Sequence, residues 1–138
     1  MSESEKRRRR IAADRERDAR KKAESDHAAW TARANQIAAA DPLNSVREAA
    51  GELVRSGTWA DEAATALQGS FPSLPTGVLA AVSREAYGLL ELAGEVANQF
   101  REHRISKNEA LEQLLAACPG FSAASYERYF GAGMFGTR

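Results

Sequence analysis

From Val46 onward, apolar side chains return every three or four residues, and the chain reads as a succession of helices. Val46, Ala49, Ala50, Leu53 and Val54 follow the i, i+3, i+4, i+7, i+8 rule of one buried helix face. Ser45-Val-Arg-Glu48 ahead of them has the form of a capping box. Gly57 is expected to end this helix in a left-handed conformation. Thr58 is placed to cap the next helix, which has Asp61 and Glu62 at its positive end and a buried face of Trp59, Ala63, Ala66 and Leu67, closing at Gly69. The loop Ser70–Gly77, with two prolines and the apolar Phe71 and Leu74, is expected to lie over the body as a strap.

The longest apolar helix is predicted from Val78 to His103. Leu79, Val82, Ala86, Leu89, Ala93, Val96 and Phe100 line it, and Leu90, Leu92 and Ala97 widen the face. Such a helix belongs at the centre of a bundle. Ser106-Lys-Asn-Glu109 is a second capping box, opening a helix through Ala110, Leu111, Leu114 and Leu115 that stops before Pro119-Gly120. A short last helix, Ala123–Phe130, carries Tyr126, Tyr129 and Phe130. The tail GAGMFGTR holds three glycines in six residues, so irregular structure is expected there.

The N-terminal third follows another rule. Ser4–Ala40 contains neither Gly nor Pro and is rich in helix formers. Its first half has no apolar stripe, whereas its second half has one through Ala23, His27, Trp30, Ala34 and Ile37. The far end should therefore dock while the near end projects into water. Glu16–Arg20 and Asp18–Lys22 are acid-before-base i,i+4 pairs that support a helix touching nothing else. Asp41-Pro42 ends it. No segment alternates with period two, no internal repeat is present, and no apolar run approaches the roughly 18 residues of a membrane span.

Together these elements predict an all-α fold: a compact bundle of about six helices with a long, charged, protruding N-terminal helix. The expected division is a charged basic arm over 1–26, a bundle over 27–131 and a glycine-rich tail over 132–138. Composition agrees, since 138 residues with 43% apolar and 28% charged side chains suit one globular domain. Alanine supplies 28 of those residues, so the core rests on few large side chains.

The formal net charge is +0, but it is unevenly spread. Residues 6–22 hold ten Lys/Arg against three Asp/Glu, a net of +7, ahead of a mildly acidic body. The charges continue to Asp26, so the cationic start lacks the apolar stretch of a secretory signal. Cys118 is the single cysteine, which rules out an intramolecular disulfide and fits a reducing cytoplasm.

Catalysis needs converging groups, and none is evident. Glu24-x-x-His27 matches half of a carboxylate-bridged di-iron unit, but no second unit exists. His103 lies near a helix C-terminus, where a cation is favoured by the dipole. Cys118 follows two alanines with no histidine nearby and reads as a core residue. Glu91, Glu95 and Glu102 trace the polar side of the central helix, and the C-terminal glycines follow a helix instead of preceding one, as a phosphate loop would. The expectation is a non-enzyme with no catalytic residue, metal or cofactor.

Two binding readings remain. The first is a protein–protein module of accessory, adaptor or inhibitor type, assembling with another protein or a second copy. Its contacts would come from Trp30 and Ile37 on the first helix, and from Tyr126, Tyr129, Phe130, Met134, Phe135 and Arg138 in the C-terminal run. The alternative is nucleic-acid or anionic-surface binding through Lys6, Arg7, Arg8, Arg9, Arg10, Arg15, Arg17, Arg20, Lys21 and Lys22. A helix-turn-helix over 108–130, with Ser122, Ser125 and Arg128 toward a groove, belongs to that alternative, although its net charge of −1 over 106–131 lacks a basic footprint. No membrane role and no small-molecule substrate is expected.

Overall fold

The computed structural model describes residues 2–136. Among them are six helices and no strand: α1 (Glu3–Ala40), α2 (Asn44–Arg55), α3 (Ala60–Ser70), α4 (Thr76–Arg101), α5 (Lys107–Ala117) and α6 (Ala123–Gly136). None is long and apolar enough to cross a membrane.

Helix α4 is the axis of the bundle, and α2, α3, α5 and α6 all pack against it. Its buried line is Leu79, Val82, Ala86, Leu89, Ala93 and Val96, as the spacing predicts. The core continues into Val46, Ala50 and Val54 of α2, Leu67 of α3, Leu111 and Leu114 of α5, and Tyr126, Tyr129 and Phe130 of α6. Phe71 and Leu74 of the strap pack on this core at partial burial. Helix α1 rides outside, docked only through its C-terminal half on α5 and α6.

The local signals were honoured unevenly. Ser2 caps α1 by accepting the Glu5 N–H at 3.1 Å, with Glu3 and Glu5 at its positive end. The capping box at Ser106 and Glu109 is formed in both directions, and Gly57 takes φ +100° after α2.

The box expected at Ser45 and Glu48 is absent. Asp41 accepts the Leu43 N–H at 2.8 Å, the chain turns early, and α2 begins at Asn44 with Leu43 as its cap residue. Glu48 is drawn instead to the far end of the sequence. Trp59, not Thr58, holds the cap position of α3, without a side-chain hydrogen bond, and its ring lies outside the buried face, 63% exposed.

The largest departure is at the C-terminus. The glycine-rich run does not leave the helix: α6 continues through Gly131 and Gly133 to Gly136. Propensity argued for a break, but Gly133 is buried directly against the α4 backbone at Ala93 and Gly94, where no side chain fits. Tertiary contact with α4 offsets the entropic cost of ordering glycine.

Candidate functional site

Residues 2–26 of α1 are all exposed. At 1.5 Å per residue, the stretch from Glu3 to Asp26 is a rod about 36 Å long. All ten cations expected to meet an anionic surface lie on it: Lys6, Arg7, Arg8, Arg9, Arg10, Arg15, Arg17, Arg20, Lys21 and Lys22. Lys6 pairs with Glu3 at 3.7 Å and Arg17 with Asp14 at 3.0 Å. Among the described residues, no carboxylate meets the other eight within salt-bridge distance.

The rod is held firmly at its base. Trp30 is only 1% exposed; its ring stacks on His27 (centroids 5.8 Å apart) and meets the edge of Tyr126 at 5.9 Å. Ala34 and Ala38 continue the buried line at a spacing of four. Ala38 takes the place expected for Ile37, which is 38% exposed at the edge of the seam. Polar contacts flank this seam. Asn108 donates to the Ala23 carbonyl at 3.0 Å, Arg33 pairs with Glu112, and Asn35 accepts the Ala123 N–H at 2.9 Å, closing the N-terminus of α6. His27 Nε2 lies 3.7 Å from Glu127, which also meets Lys107 at 3.3 Å.

The aromatic residues expected to face a partner are divided by this packing. Trp30, Tyr126, Tyr129 and Phe130 are interior. Tyr126 donates to the Cys118 carbonyl at 2.6 Å and Tyr129 to the Ala86 carbonyl at 3.0 Å. Arg55 lies over the Tyr129 ring at 4.8 Å, and Phe130 meets Phe100 edge-on at 5.4 Å. Each hydroxyl has found an internal acceptor and each ring an internal partner, so these four hold the bundle together. Met134 is half-buried against the core, and Phe135 is 68% exposed. Arg138 lies outside the described residues. Trp59, expected in the core, forms an exposed stack on Tyr87 with centroids 5.6 Å apart.

The segment 108–130 is a helical hairpin whose second helix faces inward. Glu48 accepts hydrogen bonds from the Ser122 N–H at 2.6 Å, the Asn44 side-chain amide at 3.3 Å and the Ser125 hydroxyl. This carboxylate turns Ser122 and Ser125 away from solvent, and Arg128 alone of that trio stays exposed. The groove-reading arrangement expected of a helix-turn-helix is therefore not formed here.

A cleft of 420 Å³ opens between α2, α4 and the α5–α6 turn, lined by Arg47, Glu85, Leu89, Leu92, Cys118 and Pro119. Arg47 is committed to two carboxylates, Asp41 at 2.8 Å and Glu85. Burial alone would raise the Asp41 pKa, but the Leu43 N–H and the Arg47 guanidinium hold it below the ordinary carboxylate range. Burial and the nearby Glu85 push the Cys118 thiol up to about 11, so it is protonated at neutral pH. Neither histidine reaches this cleft. His27 lies at the arm's base, and His103 is exposed at φ +58° just after α4, its N–H bonded to the Phe100 carbonyl at 3.0 Å. Among the described residues, no three His, Cys, Asp or Glu side chains form a metal-holding group.

Two features of this geometry escaped the sequence: the Glu48 clamp and the Asp41–Arg47–Glu85 group. Both join residues far apart in the chain. The one usable signal was a Glu at a capping position whose cap partner was unneeded.

Comparison with family models, with curated proteins and with solved structures finds no match to this chain.

Proposed function

We propose that this protein is a small non-catalytic binding module, in which the bundle is a rigid base and the projecting half of α1 is the contact element for a macromolecular partner. The observation that supports it is a helical rod of 24 residues, Glu3–Asp26, that is wholly exposed while its root at Trp30 is sealed into the core. Over residues 3–18 the helix has no apolar face and gains nothing from tertiary packing; α5 reaches it only near Ala23, whose carbonyl accepts from Asn108. The bundle holds it at a fixed angle, which lowers the ordering cost of binding. The cleft beside Cys118 is a poor rival, because its one cation, Arg47, is already held by two carboxylates and its thiol keeps its proton.

Affinity capture with the full chain and with a chain lacking residues 2–19 tests this, each with and without nuclease. The expected result is a partner bound by the full chain and lost with the arm. An unchanged set of partners after truncation would refute it.

A second reading has its own support. Trp59 stacked on Tyr87, with Ile37 and Phe135 elsewhere on the surface, provides exposed apolar side chains of the kind found in protein interfaces. In that reading the module is an adaptor or inhibitor acting through protein contact. A Trp59→Ser variant that loses arm-independent partners would favour it.

A further inference from the structure

The one large apolar side chain on the rod is Ile11, 44% exposed. Arg7, Arg8 and Arg15 stand one turn from it at i−4, i−3 and i+4, with Asp14 at i+3. Among the described residues, none of these three guanidinium groups has a carboxylate within salt-bridge distance. The groove between α1 and α5 begins at Ala19, and Ile11 lies about 12 Å further out along the rod. Helix α1 packs on α5 and α6, whereas α3 packs on α2 and α4. There Trp59, at the cap position of α3, is 63% exposed and stacks on the half-buried Tyr87 of α4, with ring centroids 5.6 Å apart. Asp61 and Glu62 occupy the first turn of α3, and Glu91 follows Tyr87 by one turn of α4. All three carboxylates are exposed, and among the described residues none has a cation within salt-bridge distance. Arg84, one turn before Tyr87, offsets part of this charge.

We propose that the arm of one copy docks on the Trp59–Tyr87 stack of a second copy, with Ile11 against the indole and the surrounding guanidinium groups against Asp61, Glu62 and Glu91. The inference rests on the arm being the contact element, as argued above, and names its partner. The physical ground is complementarity: an apolar side chain ringed by cations meets an apolar pair rimmed by anions. Arginine suits both parts of that surface, because its planar guanidinium stacks on aromatic faces and pairs with carboxylates. Trp, Tyr and Arg are also the residue types that carry most binding energy at interfaces. Within one chain the contact is not made, since residues 2–26 are all exposed and Trp59 is open. Helix α1 is unbroken from Glu3 to Ala40 and rooted at the buried Trp30, so its arm cannot fold back onto α3 without breaking. Pairing of arm with arm is opposed by the net +7 that residues 6–22 of each copy carry. Two different surfaces meet, so a twofold pair exchanges both arms or the contact propagates from copy to copy.

Sedimentation velocity on the full chain, over a series of protein concentrations at about 50 mM salt, reads the assembly. Species heavier than the monomer should grow with concentration and recede as salt rises toward about 0.5 M. Trp59→Ser, and separately Ile11→Asp, should weaken association by roughly tenfold or more. Both positions are exposed, and far-UV circular dichroism confirms that the variants keep their helices. Mixing completes the test. A chain lacking residues 2–19 keeps the aromatic stack but not the arm, and Trp59→Ser keeps the arm but not the stack. Neither should assemble alone, and together they should form a heterodimer with one copy of each. A full chain that stays monomeric at every concentration overturns the proposal. Self-association that survives either Trp59→Ser or loss of the arm overturns it too, as does a mixture that stays monomeric. A monomeric chain that still captures another protein or a nucleic acid through its arm overturns the second copy as partner while sparing the arm as contact element; capture that ignores the arm overturns both.

Discussion

Gly133 packs so tightly on Ala93 that a Cβ built on the glycine would stand 2.3 Å from the Ala93 carbonyl oxygen and 2.6 Å from its carbon. This contact lies where α6 crosses α4, the most extensive helix pairing in the bundle. The obstacle is backbone, so it cannot rotate aside. Gly133→Ala is expected to cost roughly 2–3 kcal/mol through overpacking. Gly131, two residues earlier in α6, has nothing within 4 Å of its virtual Cβ. Gly131→Ala should therefore stabilise by about 0.5–1 kcal/mol, the ordinary gain of alanine over glycine in a helix. Urea unfolding of both variants reads the contrast directly, and equal effects would show that α6 does not cross α4 so closely.

Helix α1 divides into a half that carries stability and a half that does not. Trp30→Ala should cost about 3–5 kcal/mol, as for other large-to-small changes in a packed core. Removing residues 2–19 should change stability by less than about 0.5 kcal/mol, since none of them is buried. Chemical denaturation of the two forms is the measurement. A truncated chain that unfolds markedly earlier would place the arm against the body in solution.

Asp41 gives an acid-side signature. Its folded pKa lies below the ordinary value because the Leu43 N–H and Arg47 outweigh burial. Its contribution is complete above the unfolded carboxylate pKa of about 3.9, and it is lost as pH falls from there through the folded value. Asp41→Asn lacks that contribution at every pH. Wild type should be the more stable at pH 7, and the gap should close as pH falls below about 4. A gap that stays constant down to pH 2 would mean that the Arg47 pairing is not formed.

Cys118 should be a poor nucleophile. With its thiol at about 11 against an ordinary 9.0, its thiolate fraction near pH 7 is lower by roughly 100-fold. Alkylation of the native chain by iodoacetamide is expected to be slower by at least that factor than alkylation of the urea-unfolded chain. Equal rates would show that burial and Glu85 do not act on the sulfur as described.

Where local pattern and tertiary demand agreed, the chain was readable. Leu79 through Val96 announced the central helix, Ser106 and Glu109 the start of α5, and Gly57 the end of α2. Readings went astray where a distant residue supplied the deciding contact. Ser45 and Glu48 have the spacing of a capping box, but the Glu48 carboxylate gains three donors from Asn44, Ser122 and Ser125. Trp59 looked like a core residue because it starts an apolar run, yet a cap residue precedes the helical face that follows it. The arm was legible as exposed because its first half lacks a stripe. The burial of Tyr126, Tyr129 and Phe130 was not, since aromatic composition suits a core and an interface equally well.

The sequence by itself determined that this chain is helical, where most helices begin and end, and that a charged rod precedes an apolar bundle. Those properties follow from residue spacing, turn chemistry and charge, which act over a few residues. Only the tertiary structure decided that α6 runs on through its glycines, that Trp30 seals the arm to the body, and that Glu48 and Arg47 bind elements dozens of residues away. Each depends on the close approach of backbones or on a buried charge finding its partner, and neither is encoded in any local stretch of the chain.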